Sequence, residues 1–203
     1  MKKARIFVIF LIGALLFWLL PLWLKLSIEN EEADAQLTGI TPPYSLIEEG
    51  LYVGGYSKNP PSGTQAVLNL SQSPALYKCD IYEWDPIPDS APAPSIDWIR
   101  KRVEFVDTQR RASRTIYVHC AAGISRSAMV VIAYEMQKNH WTRDEALKFV
   151  RSKRPNTRPN EAFMKLLLEW ESVVKKQNVE STSPIISQPQ NQRTRGDSVK
   201  SKD

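Results

Sequence analysis

The chain has 203 residues, a formal net charge of +5 and two cysteines, Cys79 and Cys120. That length holds one domain of ordinary size with a core of its own, and two cysteines argue against a disulfide framework. The positive charge is modest, which excludes a nucleic-acid footprint and leaves mild attraction to anionic substrates; Arg100, Lys101, Arg102, Arg110, Arg111 and Arg114 read as one solvated helix face and its exit.

Ile6 to Leu24 is a run of 19 residues without a charge. As a helix it spans about 28 Å, close to the hydrocarbon core of a bilayer, with Trp18 and Trp23 toward one end where interfacial aromatics belong. Residues 1–28 therefore read as a membrane anchor. A cleaved signal peptide is the rival, with Lys2, Lys3 and Arg5 as its basic start and Ala33-Asp34-Ala35 as its cleavage site. The run exceeds the usual apolar length, and Glu29, Glu31, Glu32 and Asp34 crowd that site, so an uncleaved single-pass anchor is expected. The basic residues lie before the segment, so the positive-inside rule puts the rest of the chain on the non-cytoplasmic side. Reduced thiols and phosphorylated proteins argue for the other side. Residues 29–37 form an acidic linker.

Within residues 38–176, strands are expected at Leu51–Val53, Ala66–Leu70, Ile81–Trp84 and Thr115–Val118. Ser95 to about Arg110 is expected as a helix with Ile96, Ile99, Val103 and Val106 on one face. Arg126 to Asn139 reads as a buried helix. Thr142-Arg143-Asp144-Glu145 is a capping box opening a helix that Pro155 ends. Pro159 opens a last helix with Phe163, Leu166, Leu167, Trp170, Val173 and Val174 at helical spacing. The pattern predicts an α/β domain, a central mixed sheet with helices on both faces. Residues 177–203, rich in Ser, Gln, Asn, Pro and Arg, read as a disordered tail.

The run His119-Cys120-Ala121-Ala122-Gly123-Ile124-Ser125-Arg126-Ser127 joins the strand ending at Val118 to the helix beginning at Arg126. A loop feeding a helix N-terminus gathers free backbone N–H groups and the positive end of the helix dipole, which makes an anion site. A cysteine at the start of that nest is favoured as thiolate. Arg126 offers a planar fork for two phosphate oxygens. A thiolate facing a phosphate cradle suits covalent phosphoryl transfer.

This run resembles the His-Cys-x-x-Gly-x-x-Arg-Ser signature of cysteine-dependent protein phosphatases, in the form used by the compact dual-specificity phosphatases. The resemblance extends from about Thr38 to Lys176 and includes Leu51-Tyr52-Val53-Gly54-Gly55, Ala66–Leu70 and Arg154-Pro155-Asn156-Thr157-Arg158-Pro159-Asn160. It implies a compact cysteine-phosphatase fold without metal or cofactor. Cys120 is then the nucleophile that forms a phosphocysteine, and Arg126 holds the phosphate with the amides of Ala121, Ala122, Gly123, Ile124 and Ser125. Ser127 donates to the departing sulfur, and His119 orients the loop and tunes Cys120. The family's proton donor lies at about the position of Asp89, in the proline-stiffened loop Pro86–Pro92, with Asp85 and Asp80 as rivals.

Two departures from the family stand out. Tyr56 to Gln65 is too short and too rich in Pro and Gly for the helix that many relatives place there. Ala121, Ala122 and Ile124 carry no basic side chain of the kind that phosphoinositide-directed relatives use, which favours a phosphorylated protein as substrate. A phosphatase of lipid or other non-protein esters and a catalytically weak phosphate-binding module remain as alternatives, and Cys79 is a candidate to trap oxidised Cys120 as a disulfide.

Overall fold

The computed structural model describes residues 42–182. The expected anchor Ile6–Leu24, the linker 29–37 and the chain beyond Thr182 lie outside them. Among the described residues no helix is long and apolar enough to cross a membrane. In chain order the elements are β1 (Tyr44–Glu48), β2 (Leu51–Gly54), β3 (Ala66–Asn69), β4 (Ile81–Trp84), α1 (Ile96–Arg111), β5 (Ile116–His119), α2 (Arg126–Asn139), α3 (Arg143–Lys153) and α4 (Glu161–Thr182).

The five strands form one sheet in the order β1-β2-β5-β3-β4. β5 lies in the middle and runs parallel to β2 and β3, β4 continues the parallel set, and β1 pairs antiparallel with β2. All four residues of β5 and all four of β3 are buried. That is the pattern of central parallel strands covered on both faces. The sheet is mixed, as expected, and β1 is an addition to the strands expected from sequence.

The helices collect on one face of the sheet, which corrects the expectation of helices on both. Leu51, Val53, Leu68, Ile116 and Val118 share a core with Ile99, Val103 and Val106 of α1, the buried flank of α2, Ala146 and Val150 of α3, and Phe163, Leu167 and Trp170 of α4. α2 is buried from Arg126 through Met136, so it is the centre of the helical layer. Trp170 of α4 donates its indole N–H to the Ala133 carbonyl at 3.0 Å. On the other face Tyr117 is covered by the Tyr44 ring, 5.8 Å away, and His119 by the hydroxyl of Tyr77. No helix forms over Tyr56–Gln65, because Pro60, Pro61 and a positive φ of 76° at Gly63 interrupt it.

Local signals set the helix ends. Ser95 Oγ accepts from Trp98 N at 3.2 Å to start α1. Thr142 and Glu145 form the expected capping box on α3. Asn160 Oδ1 accepts from Phe163 N at 3.0 Å at the head of α4, a helix that runs on past Lys176 to Thr182, into the stretch expected as tail. The basic residues of α1 and its exit are not one solvated face. Arg102 pairs with Glu83 and Asp85, and Arg110 donates to the carbonyls of Glu49 and Arg114.

Candidate active site

β5 ends at His119 and delivers Cys120 at the carboxyl end of the sheet, where the loop Ala121–Ser125 turns into α2. Gly123 has φ 67°, and a Cβ there would collide with the backbone of Gly54 and Gly55. Only glycine lets the loop lie this close to the end of β2.

The five successive carbonyls from Cys120 to Ile124 are each engaged by a group that precedes or follows this stretch. His119 Nδ1 lies 3.4 Å from the Cys120 oxygen. Tyr56 N donates to Ala121 O at 2.8 Å, Arg154 Nη2 to Ala122 O at 3.4 Å, Arg154 Nε to Gly123 O at 2.7 Å, and Arg158 N to Ile124 O at 2.8 Å. With the oxygens held outward the amides are free to face inward, and Gly123 N donates to Cys120 Sγ at 3.3 Å. This is a nest built by its surroundings.

Arg154 is 2% exposed and is the main support of the loop that sequence reasoning missed. Besides the two loop carbonyls it donates to Pro42 O at 3.0 Å and Ser45 Oγ at 3.3 Å. Burial lowers its pKa from the ordinary arginine value, and the nearby Tyr117 and Cys120 act against that shift. It entered the sequence reading only as part of the closing Arg154–Asn160 segment, and no periodicity marks it.

His119 is fully buried, stacked on Tyr117 with ring centroids 4.9 Å apart. Burial holds its pKa down to about 4, so the imidazole is neutral at pH 7. A carbonyl can only accept, so Nδ1 carries the proton and donates to Cys120 O, while the Tyr77 hydroxyl donates to Nε2 at 3.0 Å. His119 thus orients the loop, and it has no proton-accepting nitrogen left for catalysis.

Ser127 Oγ lies 3.4 Å from Cys120 Sγ and donates to Gly54 O at 3.1 Å. The same carbonyl accepts from Cys120 N at 3.2 Å. A small rotation of the hydroxyl redirects its proton to the sulfur.

Arg126 is 8% exposed. Its Nη1 lies 3.4 Å from Leu70 O and 3.3 Å from Ile87 O, which fixes the guanidinium under a cavity of about 330 Å³ lined by Tyr56, Ser71, Gln72, Ser73, Ala121 and Arg126. Gln72 Nε2 donates to Ile87 O at 2.9 Å, tying one cavity wall to the loop that carries Asp89. Ala121 and Ala122 are exposed at the rim.

The three aspartates separate cleanly. Asp89 Oδ1 accepts from Ser125 Oγ at 2.6 Å and from Asn160 Nδ2 at 2.9 Å, and its Oδ2 lies 3.5 Å from Arg126 Nε. Asp85 is tied away from the loop, accepting from Trp98 Nε1 at 2.7 Å and pairing with Arg102 at 3.0 Å. Asp80 is exposed just ahead of β4. Neither rival shares Asp89's contacts with Ser125 and Arg126.

Cys79 is not placed to trap Cys120. Its Sγ faces the Thr64 carbonyl, beyond the end of the sheet where Ala66 pairs with Ile81, whereas Cys120 follows the opposite end of β5. Four-residue strands hold those ends about 10 Å or more apart, past the reach of a disulfide.

The catalytic-domain model of the dual specificity phosphatases matches residues 56–173. Dual specificity protein phosphatase 1-A of Xenopus laevis is 39% identical over 129 residues, 62% of this chain and 35% of that protein. Dual specificity protein phosphatase 8 of Homo sapiens is 41% identical over 117 residues, 56% of this chain and 19% of that protein. The chain thus spans about a third or less of the length of these relatives. Among solved structures, the human tyrosine phosphatase-like serine/threonine/tyrosine-interacting protein superposes with a TM-score of 0.59 at 28% identity, covering 64% of this chain and 96% of that one. A strand-delivered cysteine, an outward-turned loop and an arginine at the head of the central helix accompany a family match over more than half of the chain; the chain belongs to the dual specificity phosphatases of the cysteine-dependent protein tyrosine phosphatase superfamily.

Proposed function

We propose that this protein is a membrane-anchored phosphatase that hydrolyses phosphotyrosine and phosphoserine or phosphothreonine esters of proteins through a phosphocysteine intermediate. One observation carries the reading: the carbonyls from Cys120 to Ile124 are all engaged outward while Gly123 N points at Cys120 Sγ. A phosphate seated over that sulfur meets amide donors and the Arg126 guanidinium.

Cys120 attacks phosphorus as thiolate, so an S–P bond forms while the P–O bond to the substrate breaks. The amides and Arg126 stabilise the charge spread over the phosphoryl oxygens. Asp89 gives its proton to the leaving oxygen. Asp89 then takes a proton from water as the water oxygen attacks phosphorus. The S–P bond breaks, inorganic phosphate leaves, and Ser127 Oγ donates to the departing sulfur.

A protein substrate is favoured over a phosphoinositide because the exposed rim residues Ala121 and Ala122 offer no cation to a second phosphate. The membrane part rests on the uncharged run Ile6–Leu24 with Lys2, Lys3 and Arg5 before it, and the positive-inside rule supports a non-cytoplasmic catalytic domain. Turnover of a phosphopeptide and phosphoinositide panel, with Cys120→Ser as control, tests the activity. Preference for phosphoinositides overturns the protein-substrate reading. Carbonate extraction and protease protection of membrane vesicles test the anchor and its orientation; extraction into the soluble fraction overturns the anchor.

A further inference from the structure

We propose that Asn160 and Ser125 are positioning residues for the proton-transfer step, clamping Oδ1 of Asp89 so that Oδ2 alone holds and delivers the proton. The inference rests on Asp89 being the acid.

Three observations meet here. Ser125 occupies the N-cap position of α2, where a serine hydroxyl ordinarily accepts from a helix N–H. It makes no such bond. Its hydroxyl donates to Asp89 Oδ1 at 2.6 Å and accepts from Asn160 N at 3.1 Å. Helix capping has been given up for a contact with the carboxylate.

Asn160 uses its two amide atoms for two separate tasks. Oδ1 caps α4 by accepting from Phe163 N at 3.0 Å, and Nδ2 donates to Asp89 Oδ1 at 2.9 Å. The cap fixes the amide plane, so the donor is aimed.

With both donors on Oδ1, the other oxygen of Asp89 is left beside Arg126 Nε at 3.5 Å. Arg126 is the group that grips the phosphate, so Oδ2 stands next to the ester oxygen that must be protonated. In the first step the proton passes from Oδ2 to the leaving oxygen as its bond to phosphorus breaks. In the second, Oδ2 takes a proton from the attacking water. A carboxylate free to rotate would present Oδ2 in only part of its orientations.

The residues from Ser125 to Asn160 include all of α2 and α3, so the clamp joins the acid loop to two elements far apart in the chain. Capping and clamping use different atoms of Asn160, which makes them separable. Asn160→Asp keeps an oxygen for Phe163 N and replaces the donor facing Asp89 by an acceptor. Asn160→Ser keeps a capping hydroxyl and is too short to reach Asp89.

The test is steady-state hydrolysis by the full-length chain of two aryl phosphates, one with a phenol of high pKa and one with a phenol of low pKa, with thermal unfolding as the folding control. Asn160→Asp and Asn160→Ser should each lower kcat on the poor leaving group by about tenfold or more, with a far smaller effect on the good one and little change in KM. In an Asp89→Asn background Asn160→Asp should cause no further loss, because the two act as a unit. Equal loss on both substrates, or loss that adds to that of Asp89→Asn, overturns the clamp while leaving Asp89 as the acid. If Asp89→Asn itself shows no leaving-group dependence, the acid assignment falls and the clamp falls with it. A drop in unfolding midpoint confined to Asn160→Ser marks a lost cap, and Asn160→Asp then decides.

Discussion

Arg154 and Gly123 are 31 positions apart, yet Arg154 Nε donates to the Gly123 carbonyl at 2.7 Å. Without that bond and its neighbour to Ala122, the oxygens of Ala122 and Gly123 are free to turn inward and oppose the amides. Arg154→Met should therefore leave Gly123 O, Ala122 O and Pro42 O without their donor, at about 1–3 kcal/mol for the buried Gly123 carbonyl and less for the two part-buried ones. The expected outcome is a lower urea midpoint together with a loss of turnover, and Arg154→Lys should recover only part of either, since one ammonium cannot span these carbonyls. Wild-type turnover in Arg154→Met would show that the loop holds its shape without it.

Cys120→Ser should abolish turnover and retain binding of inorganic phosphate. The hydroxyl is a poor nucleophile at neutral pH, while the nest, Arg126 and Arg154 stay in place. Phosphate protection against thermal unfolding measures the binding, and residual activity within about tenfold of wild type would sink the covalent mechanism.

Arg126→Lys should lower kcat by about a hundredfold or more, equivalent to about 2.7 kcal/mol of transition-state stabilisation. The guanidinium is held by Leu70 O and Ile87 O with Asp89 beside it, a geometry that an ammonium cannot copy. Kinetics on a phosphotyrosine peptide check this; a variant near wild type would make Arg126 structural.

Asp85→Asn and Asp89→Asn should differ in kind. Asp85 serves Trp98 and Arg102, so its loss should cost stability, about 1 kcal/mol for a partly buried pair, and leave the dependence of rate on the leaving group unchanged. Asp89→Asn should slow poor leaving groups far more than good ones. Kinetics and urea unfolding on both variants separate the roles.

Glu135 on α2 is buried beside Glu48 and Lys138, with Oε2 accepting from Asn139 at 2.7 Å and Oε1 unpartnered. Burial, with repulsion from Glu48, pushes its carboxyl up to about 7. An acid raised in the folded state stabilises the fold below its ordinary pKa of 4.5, and that contribution is lost as pH rises through 7. His119, lowered from 6.5 to about 4 by burial, works in the opposite direction, since its contribution is lost as pH falls through 4. The two slopes oppose each other between these values. Glu135→Gln should unmask the rise of stability with pH due to His119, and should gain on wild type by about 1–3 kcal/mol between pH 4.5 and pH 8. Urea unfolding across that range measures it; parallel curves for the two proteins would rule out Glu135 as the titrating group.

Local features were legible in the amino-acid order. Thr115 to Asn139 is contiguous, so strand, loop and helix, and with them the pairing of Cys120 with Arg126, were legible from patterning and a single glycine. The capping box at Thr142 and the apolar face of α4 were equally local. β1 escaped notice because Ser45 takes an inward position, where it is buried and accepts from Arg154 at 3.3 Å. Arginine is seldom buried unless its donors are paired, and the acceptors that allow it at Arg154 lie far away in the chain. The different partners of Asp89 and Asp85, the one-sided helical layer, the separation of Cys79 from Cys120, and the meeting of Asn160 with Asp89 follow only from the tertiary structure. Polar side chains that bond across 30 to 110 positions leave no periodic trace in the chain, because their partners are chosen by where the sheet and helices bring them.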